Sequence, residues 1–532
     1  MLGSKRSIGI GFGVGAVVLA VVVATHSVSP SPSAPGGPAS GATGRTPSVT
    51  ARPTALARNW SRYVAQENAK TGSAGLQISS AQGGRAGLDA FVNHVSILPG
   101  QPVSLYVTSR WSSVRVRAIR IGYYRGAGLR EVWHGSMRGR VQPGARTFTG
   151  RLAGVGAIGT QMTYAPWTSP MSIATTGWPE GQYVIRVDAA GASRWVMLTV
   201  RSASAVGRVV LVSSQMTWNA YNTWGGRGLY GDVGRDFSRR SYAVSLDRPN
   251  ADGFGAGRAF SYDYPILREA EKLGLPVAWL SDYDIARNPR ILNGATAIVF
   301  GGHAEYWTGP MRDAVVAQAA AGANLAIFGA NTAYWRVRLA GQTSSGEPRA
   351  IFGAKSASLD PLARRDPGGA TARFKDAPGA RREEDLTGAR YDCYPASGDW
   401  VVSDPGWWGY AGTGLRRGSR ITGLVGPESD RVYGGHAKPT TQVVAYSRLS
   451  CRGSATAHTG IYWTNQARAG IFEAGTMNWP RKLNSTASYG VMATMTDTIL
   501  VAFSHPRAGI AHPARANYTS FWLPSVSTAH AS

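Results

Sequence analysis

The sequence predicts an all-β sandwich domain over residues 59–204, followed by a three-layer α/β domain over residues 205–505. Two patterns carry this reading. From Leu76 onward, short runs such as QPVSLYVTS, VRVRAIRIGYY and SRWVMLTVRS alternate apolar and polar residues and are spaced by Gly, Pro, Ser and Asn. Period-two alternation at that spacing marks half-buried antiparallel strands. From Arg208 the runs change character: RVVLVSS, LPVAWL, AIVF and NLAIF have unbroken apolar centres instead of alternation, and helical stretches separate them. Strands buried on both faces look like this, and strands alternating with helices build a parallel sheet with helices on both sides.

Taken in order, the chain opens with Lys5 and Arg6 ahead of an apolar run, Ile8 to Ala24. A charged start followed by such a run is an export signal. Val22 and Ala24 offer a small-residue cleavage site. Residues 1–25 are therefore either a cleaved signal peptide or an uncleaved anchor with the Lys5 side in the cytoplasm. The expected location is secreted, or anchored to the outer face of the cytoplasmic membrane. Residues 26–58, rich in Pro, Ser, Gly, Ala and Thr, cannot bury enough apolar area to fold and read as a tether.

Asn59 to Ala69 reads as a short helix, and the sandwich ends near Ser202, serving either as a packing module or as a surface for sugars or proteins. Arg208 to Ser214 is the first parallel strand, followed by a long polar loop, Gln215 to Gly231. Pro265 to Leu273 is an amphipathic helix that stops at Gly274, and Leu275 to Leu280 is the next strand. Ala297 to Phe300 (strand), Met311 to Ala321 (helix) and Asn324 to Phe328 (strand) complete a βαβ unit. Residues 345–460 lack periodicity and read as an insertion over the sheet. Met492 to Phe503 reads as a closing helix, and 506–532 as a loosely ordered tail.

The formal charge is +26, and only seven of the 56 basic residues are Lys. The absence of a basic helix, a Lys/Arg tract or a recognition motif argues against nucleic-acid binding in spite of the charge, which suits weak attraction to anionic lipid or envelope polymer. Two cysteines, Cys393 and Cys451, in an exported chain suggest one disulfide, the alternative being two buried thiols. Neither sits on a strand-to-helix turn, so neither reads as a nucleophile. The absence of Gly-x-Ser-x-Gly, of His-Glu-x-x-His and of a phosphate-cradling glycine loop after the first strand argues against the usual serine hydrolases, the common zinc peptidases and nucleotide binding.

Chemistry-bearing residues gather where the parallel strands end, the edge at which such sheets bind ligands. His303 and Glu305 follow two glycines after one strand, and Asn331 follows the next. In an extended loop residues two apart point the same way, so His303 and Glu305 can serve one site as a metal pair or as an acid/base pair. After the first strand comes Trp218 to Gly226 (WNAYNTWGG), with Tyr230 beyond. This segment suits a pocket wall, and a tyrosine phenolate suits a hard Lewis-acidic ion such as ferric iron. Packing is the alternative role for Trp218 and Trp224.

At these motifs the chain resembles the large (beta) subunit of N,N-dimethylformamidase and its relatives. The resemblance rests on TWNAYNTWGGRGLYG (Thr217 to Gly231), SLDRPN (Ser245 to Asn250), GGHAEYWTGPMRDAV (Gly301 to Val315), ANLAIFGANTAYWRVR (Ala323 to Arg338) and GIFEAGTMNW (Gly470 to Trp479). It covers about Arg208 to Phe503, and RIGYYRGAG (Arg120 to Gly128) looks like the domain upstream in that family. It implies an α/β domain similar to class I glutamine amidotransferases, without their nucleophilic cysteine. It also implies hydrolysis of a small amide at a single iron ion held by two tyrosines and one glutamate. By motif, Glu305 matches the glutamate, His303 the adjacent histidine and Asn331 a nearby asparagine; Tyr221 is the first choice of tyrosine and Tyr230 the second. The implied mechanism has iron polarise the amide and activate a water, His303 carry a proton to the departing amine, and Asn331 steady the oxyanion.

The chain departs from that pattern in its export signal, which points to a substrate such as an amide of the cell envelope, and in having no visible small subunit. A homo-oligomer is compatible with the sequence. Two other functions stay open: a secreted or anchored carbohydrate- or envelope-binding protein without catalysis, and a metal-independent hydrolase using Glu305 and His303.

Overall fold

A computed structural model describes residues 55–152, 159–342 and 347–523. The apolar run Ile8 to Ala24 and the tether up to residue 54 lie outside the described residues. Among those described, no helix is long and apolar enough to cross a membrane. The first helix, Ala55–Asn68, begins inside the segment expected as tether, where Ala, Leu and Arg are good helix formers.

The N-terminal strands form two main sheets. One has three antiparallel strands, Leu88–Val92, Val103–Ser109 and Met171–Ile173. The other runs in the order Ser96–Ile97, Ala192–Val200, Gly181–Ala189, Ser113–Ile121, Leu129–Arg138. Leu105 and Val107 of the first share one apolar core with Val116, Ile185 and Leu198 of the second.

The central sheet has seven strands: β1 (Val209–Ser213), β2 (Val277–Ser281), β3 (Ala297–Phe300), β4 (Asn324–Ile327), β5 (Gln442–Cys451), β6 (Ser454–Thr464) and β7 (Gly470–Glu473). Their order is β2-β1-β3-β4-β7-β6-β5. The first five are parallel, whereas β6 and β5 add antiparallel strands at one edge. The segment expected as an insertion up to residue 460 thus supplies β5 and the start of β6. Side chains alternate across the sheet. Leu211, Trp279, Val299 and Ala326 face one core with Ile266 and Ile499, while Val212, Leu280, Phe300 and Ile327 face the other with Met311 and Val315.

Four helices matter below: α1 (Gln215–Tyr221), α2 (Tyr264–Lys272), α3 (Gly309–Ala320) and α4 (Tyr489–Phe503). The polar stretch after β1, expected as a loop, opens with α1. Its N-terminal Met216 N–H donates to both carboxylate oxygens of Asp282, each at 3.0 Å, so a residue just beyond β2 completes the helix end.

Cys393 and Cys451 form a disulfide with a Cα–Cα distance of 5.7 Å. The tail is packed as far as Leu523, contrary to expectation. Asn517 exchanges hydrogen bonds with the Val443 backbone, and Tyr518, Phe521 and Leu523 lie against the core.

The boundary expected at 204/205 is not a seam between independent cores. Ile119, Val184 and Trp195 from the N-terminal strands sit in one cluster with Val209, Ile266 and Trp279. Across the same junction Arg120 donates to both oxygens of Glu271, at 3.0 and 2.9 Å, with both side chains fully buried. Glu271 also accepts from Trp279 Nε1 at 2.9 Å and Asn68 Nδ2 at 2.8 Å.

Candidate active site

Three strand ends converge. β1 runs into α1, which carries Tyr221; β3 runs into Gly301, Gly302, His303, Ala304 and Glu305; β4 runs into Phe328, Gly329, Ala330 and Asn331. The last two loops continue the parallel register past the sheet, with a bridge between His303 and Ala330. Glycine makes this approach possible: a Cβ on Gly329 would lie 2.6 Å from the Gly301 carbonyl oxygen, and one on Gly302 2.2 Å from the Tyr262 ring. The Thr217 hydroxyl of α1 accepts from the N–H groups of Glu305 and Tyr306, at 3.1 and 3.3 Å, tying helix and loop together.

His303 Nε2 lies 3.5 Å from Glu305 Oε2 and 3.5 Å from Glu428 Oε2. Both contacts are longer than an ordinary N–H···O bond. Glu428 also accepts from Asn331 Nδ2 at 2.8 Å. His303 Nε2, Glu305 Oε2 and Asn331 Oδ1 are buried and have no hydrogen-bond partner among the described residues. Such groups are rare and call for an explanation. Here they gather at one point, with Glu305 only 1% exposed. Glu305, expected at the ligand-binding edge of the sheet, is enclosed there rather than open to solvent.

Asn331 sits in the left-handed region at φ 56°, and Ala333 at φ 55°. Asn tolerates this region, whereas Ala pays about 1 kcal/mol or more. The Asn331 N–H donates to both oxygens of Asp430, each at 3.0 Å, which holds the strained turn. Burial pushes the Asp430 carboxyl up to about 7, and burial together with Asp430 raises Glu473 at the end of β7.

The tyrosines form a second wall. Tyr221 stacks on Tyr230 with ring centroids 5.3 Å apart, meets Tyr306 edge-on at 5.9 Å and lies 5.5 Å from the His303 ring. Burial, then the Glu305 charge, raises the Tyr221 and Tyr306 hydroxyls well above the ordinary range. Burial also raises Glu305, against the pull of His303, of Lys355 and of a hydrogen bond from Tyr221. For His303 burial works against the charged ring, but Glu428 and Glu305 outweigh it and raise its pKa.

Lys355 was not foreseen. Its ammonium donates to the Tyr306 hydroxyl and lies 4.2 Å from the Tyr230 ring centroid, 4.5 Å from Trp335 and 4.9 Å from Tyr306. Burial pushes its pKa down to about 7, opposed by Glu305. Glu428, Asp430 and Tyr391, whose hydroxyl is raised by burial and then by Glu428, were missed as well. All four come from stretches without periodicity, and no local signal marks them.

The donor set suits a hard cation: one carboxylate with an unused oxygen, Glu305, and phenols at Tyr221 and Tyr230. Among the described residues no group of three or more His, Cys, Asp and Glu is placed to hold a metal, so tyrosine oxygens would have to complete the set. Burial and acidic neighbours hold the Tyr221 proton on, and a cation is what would release it.

No curated protein matches the chain. The family model described as N,N-dimethylformamidase beta subunit-like, C-terminal, matches residues 115–492, a span that contains every site residue named above and starts within the N-terminal strands. The chain belongs to the N,N-dimethylformamidase beta subunit-like family.

Proposed function

We propose that the protein is an exported hydrolase of a carbon–nitrogen amide bond in a non-peptide substrate, with a single iron ion at the tyrosine–glutamate site. Family membership supports a dimethylformamidase-like hydrolase. The observation that supports the rest is the gathering of three buried polar atoms, on His303, Glu305 and Asn331, that have no hydrogen-bond partner among the described residues, beside a tyrosine wall. Glu305 and Tyr221, with Tyr230 as the further phenol, would hold the ion. When bound, it supplies a Lewis acid for the amide carbonyl.

The chain's own residues handle the protons. Hydrolysis removes a proton from water and delivers one to the departing amine. Glu428 and Glu305 favour the charged form of His303, so it is the donor to the amine nitrogen, and the ring so deprotonated takes up the proton that the water gives up. Glu428 accepts one N–H of Asn331 Nδ2, and the second N–H is left for a developing oxyanion. The aromatic wall and Lys355 keep bulk water from Glu305.

The test is metal content with a visible spectrum. Near-stoichiometric iron with a tyrosinate-to-iron band is expected in the purified protein. In Glu305→Ala the metal and the band are lost while the circular dichroism spectrum and melting temperature stay close to wild type, because the substitution also removes a buried charge. Colourless protein that takes up no added iron, or a Glu305→Ala protein that retains it, overturns the iron site.

A further inference from the structure

A cleft lies on the far side of α1. At about 100° per residue, Asn219 stands roughly 200° around the helix from Tyr221. Gln215 and Asn219 face a cleft of about 60 Å³ between α1, the strands Leu88–Val92 and Ala192–Val200, and the segment 246–250. Its polar lining is unusual in composition: two arginines (Arg248 and Arg349), one histidine, and the amides of Gln215, Asn219 and Asn250, with no carboxylate among the described lining residues. The remaining wall is largely apolar, including Phe91, Met197 and Leu246.

Arg248 is 3% exposed. Nη1 donates to the carbonyls of Trp224 and Arg227, at 3.1 and 2.9 Å, and Nη2 to that of Asn222 at 2.9 Å. Among the described residues its Nε–H has no partner and no carboxylate pairs with it. Burial alone pushes its pKa down to about 9, so it remains a cation at neutral pH. Arg349, also buried, pairs with Asp247 through Nε and Nη2 at 3.0 and 2.8 Å, while Nη1 has no partner among the described residues. A buried cation without a counter-charge is costly, and breaking a buried pair costs several kcal/mol for this reason. The fold keeps one beside a cleft lined with donors and hydrocarbon.

We propose that this cleft binds a small monocarboxylate with an apolar substituent, its carboxylate paired with Arg248 and its hydrocarbon against Phe91, Met197 and Leu246. A planar two-oxygen anion matches the guanidinium, and the apolar wall disfavours an anion with oxygens on every side such as phosphate.

The test is titration calorimetry of the full protein with butyrate, inorganic phosphate and 1-butanol. Butyrate should bind saturably and at least tenfold more tightly than either other probe. Arg248→Gln should weaken binding at least tenfold. Because Arg248 also holds the 222–227 loop, Met197→Trp, which fills the cleft from a partly exposed position and leaves both arginines in place, gives the independent check and should abolish binding. Glu305→Gln should leave binding unchanged, which separates this site from the candidate active site. Absence of saturable butyrate binding overturns the proposal. So does phosphate or 1-butanol binding as tightly as butyrate, binding that survives Met197→Trp, or binding lost in Glu305→Gln.

Discussion

Replacing Glu428 by Gln tests whether this carboxylate sets the charge of His303. The exchange keeps the shape and an acceptor for Asn331 but removes one negative charge 3.5 Å from His303 Nε2. At an effective dielectric constant of about 20, that pair interacts by at most roughly 5 kcal/mol, or about 3.5 pH units. Glu305 remains at the same distance and water relaxes into the site, so the expected fall in the His303 pKa is about 1–2 units. Burial would then weigh more heavily against the charged ring, and the His303 pKa would fall from its raised wild-type position.

In the wild type the raised pKa contributes stability that is complete below about pH 6.5 and is lost as pH rises through the folded value. In the variant that contribution shrinks, and any amide hydrolysis that needs the charged ring should lose its high-pH limb at a correspondingly lower pH. The assay is NMR titration of ring-labelled histidine in metal-stripped protein, with the His303 resonance assigned by its loss in His303→Gln. A ring that titrates within about 0.3 units of wild type in Glu428→Gln refutes the reasoning.

Three further outcomes follow from buried groups. His458 is fully buried and its pKa is pushed down to about 4, so the unfolded chain takes up a proton there before the folded one does. Stability should fall by about 3 kcal/mol between pH 6.5 and 4, and denaturant titrations of His458→Asn should show that part of the slope removed. Replacing Cys393 and Cys451 by Ser opens a loop with a sequence separation of 58, which should cost about 4 kcal/mol in urea unfolding. Asp430→Asn exchanges the charged acceptor of the Asn331 N–H for a neutral one; kcat should fall about tenfold with KM and iron content unchanged, and an unaltered kcat would remove Asp430 as a positioning residue.

What the sequence revealed depended on whether neighbours along the chain carried the information. β1 to β4 were legible because strands buried on both faces carry apolar runs without alternation. His303, Glu305 and Asn331 were legible because parallel strands end on one edge and each residue directly follows its strand. α1 was not, since its end is completed by Asp282 from another element. Nor were Lys355 and Glu428, which reach Tyr306 and His303 from segments with neither period nor motif. The sheet edge that carries Glu305 is an interior because those segments fold over it.

The Arg120–Glu271 pair bears on how such a protein can be divided. A chain cut at 204/205 would leave Glu271 in the α/β half without Arg120 and would expose the apolar face that Ile119 and Trp195 cover. Either half alone should therefore be aggregation-prone, and protease nicking between them should release no stable fragment. The two halves would have to be inherited and exchanged together, and the family match that opens at residue 115, among the N-terminal strands, fits a unit of that extent.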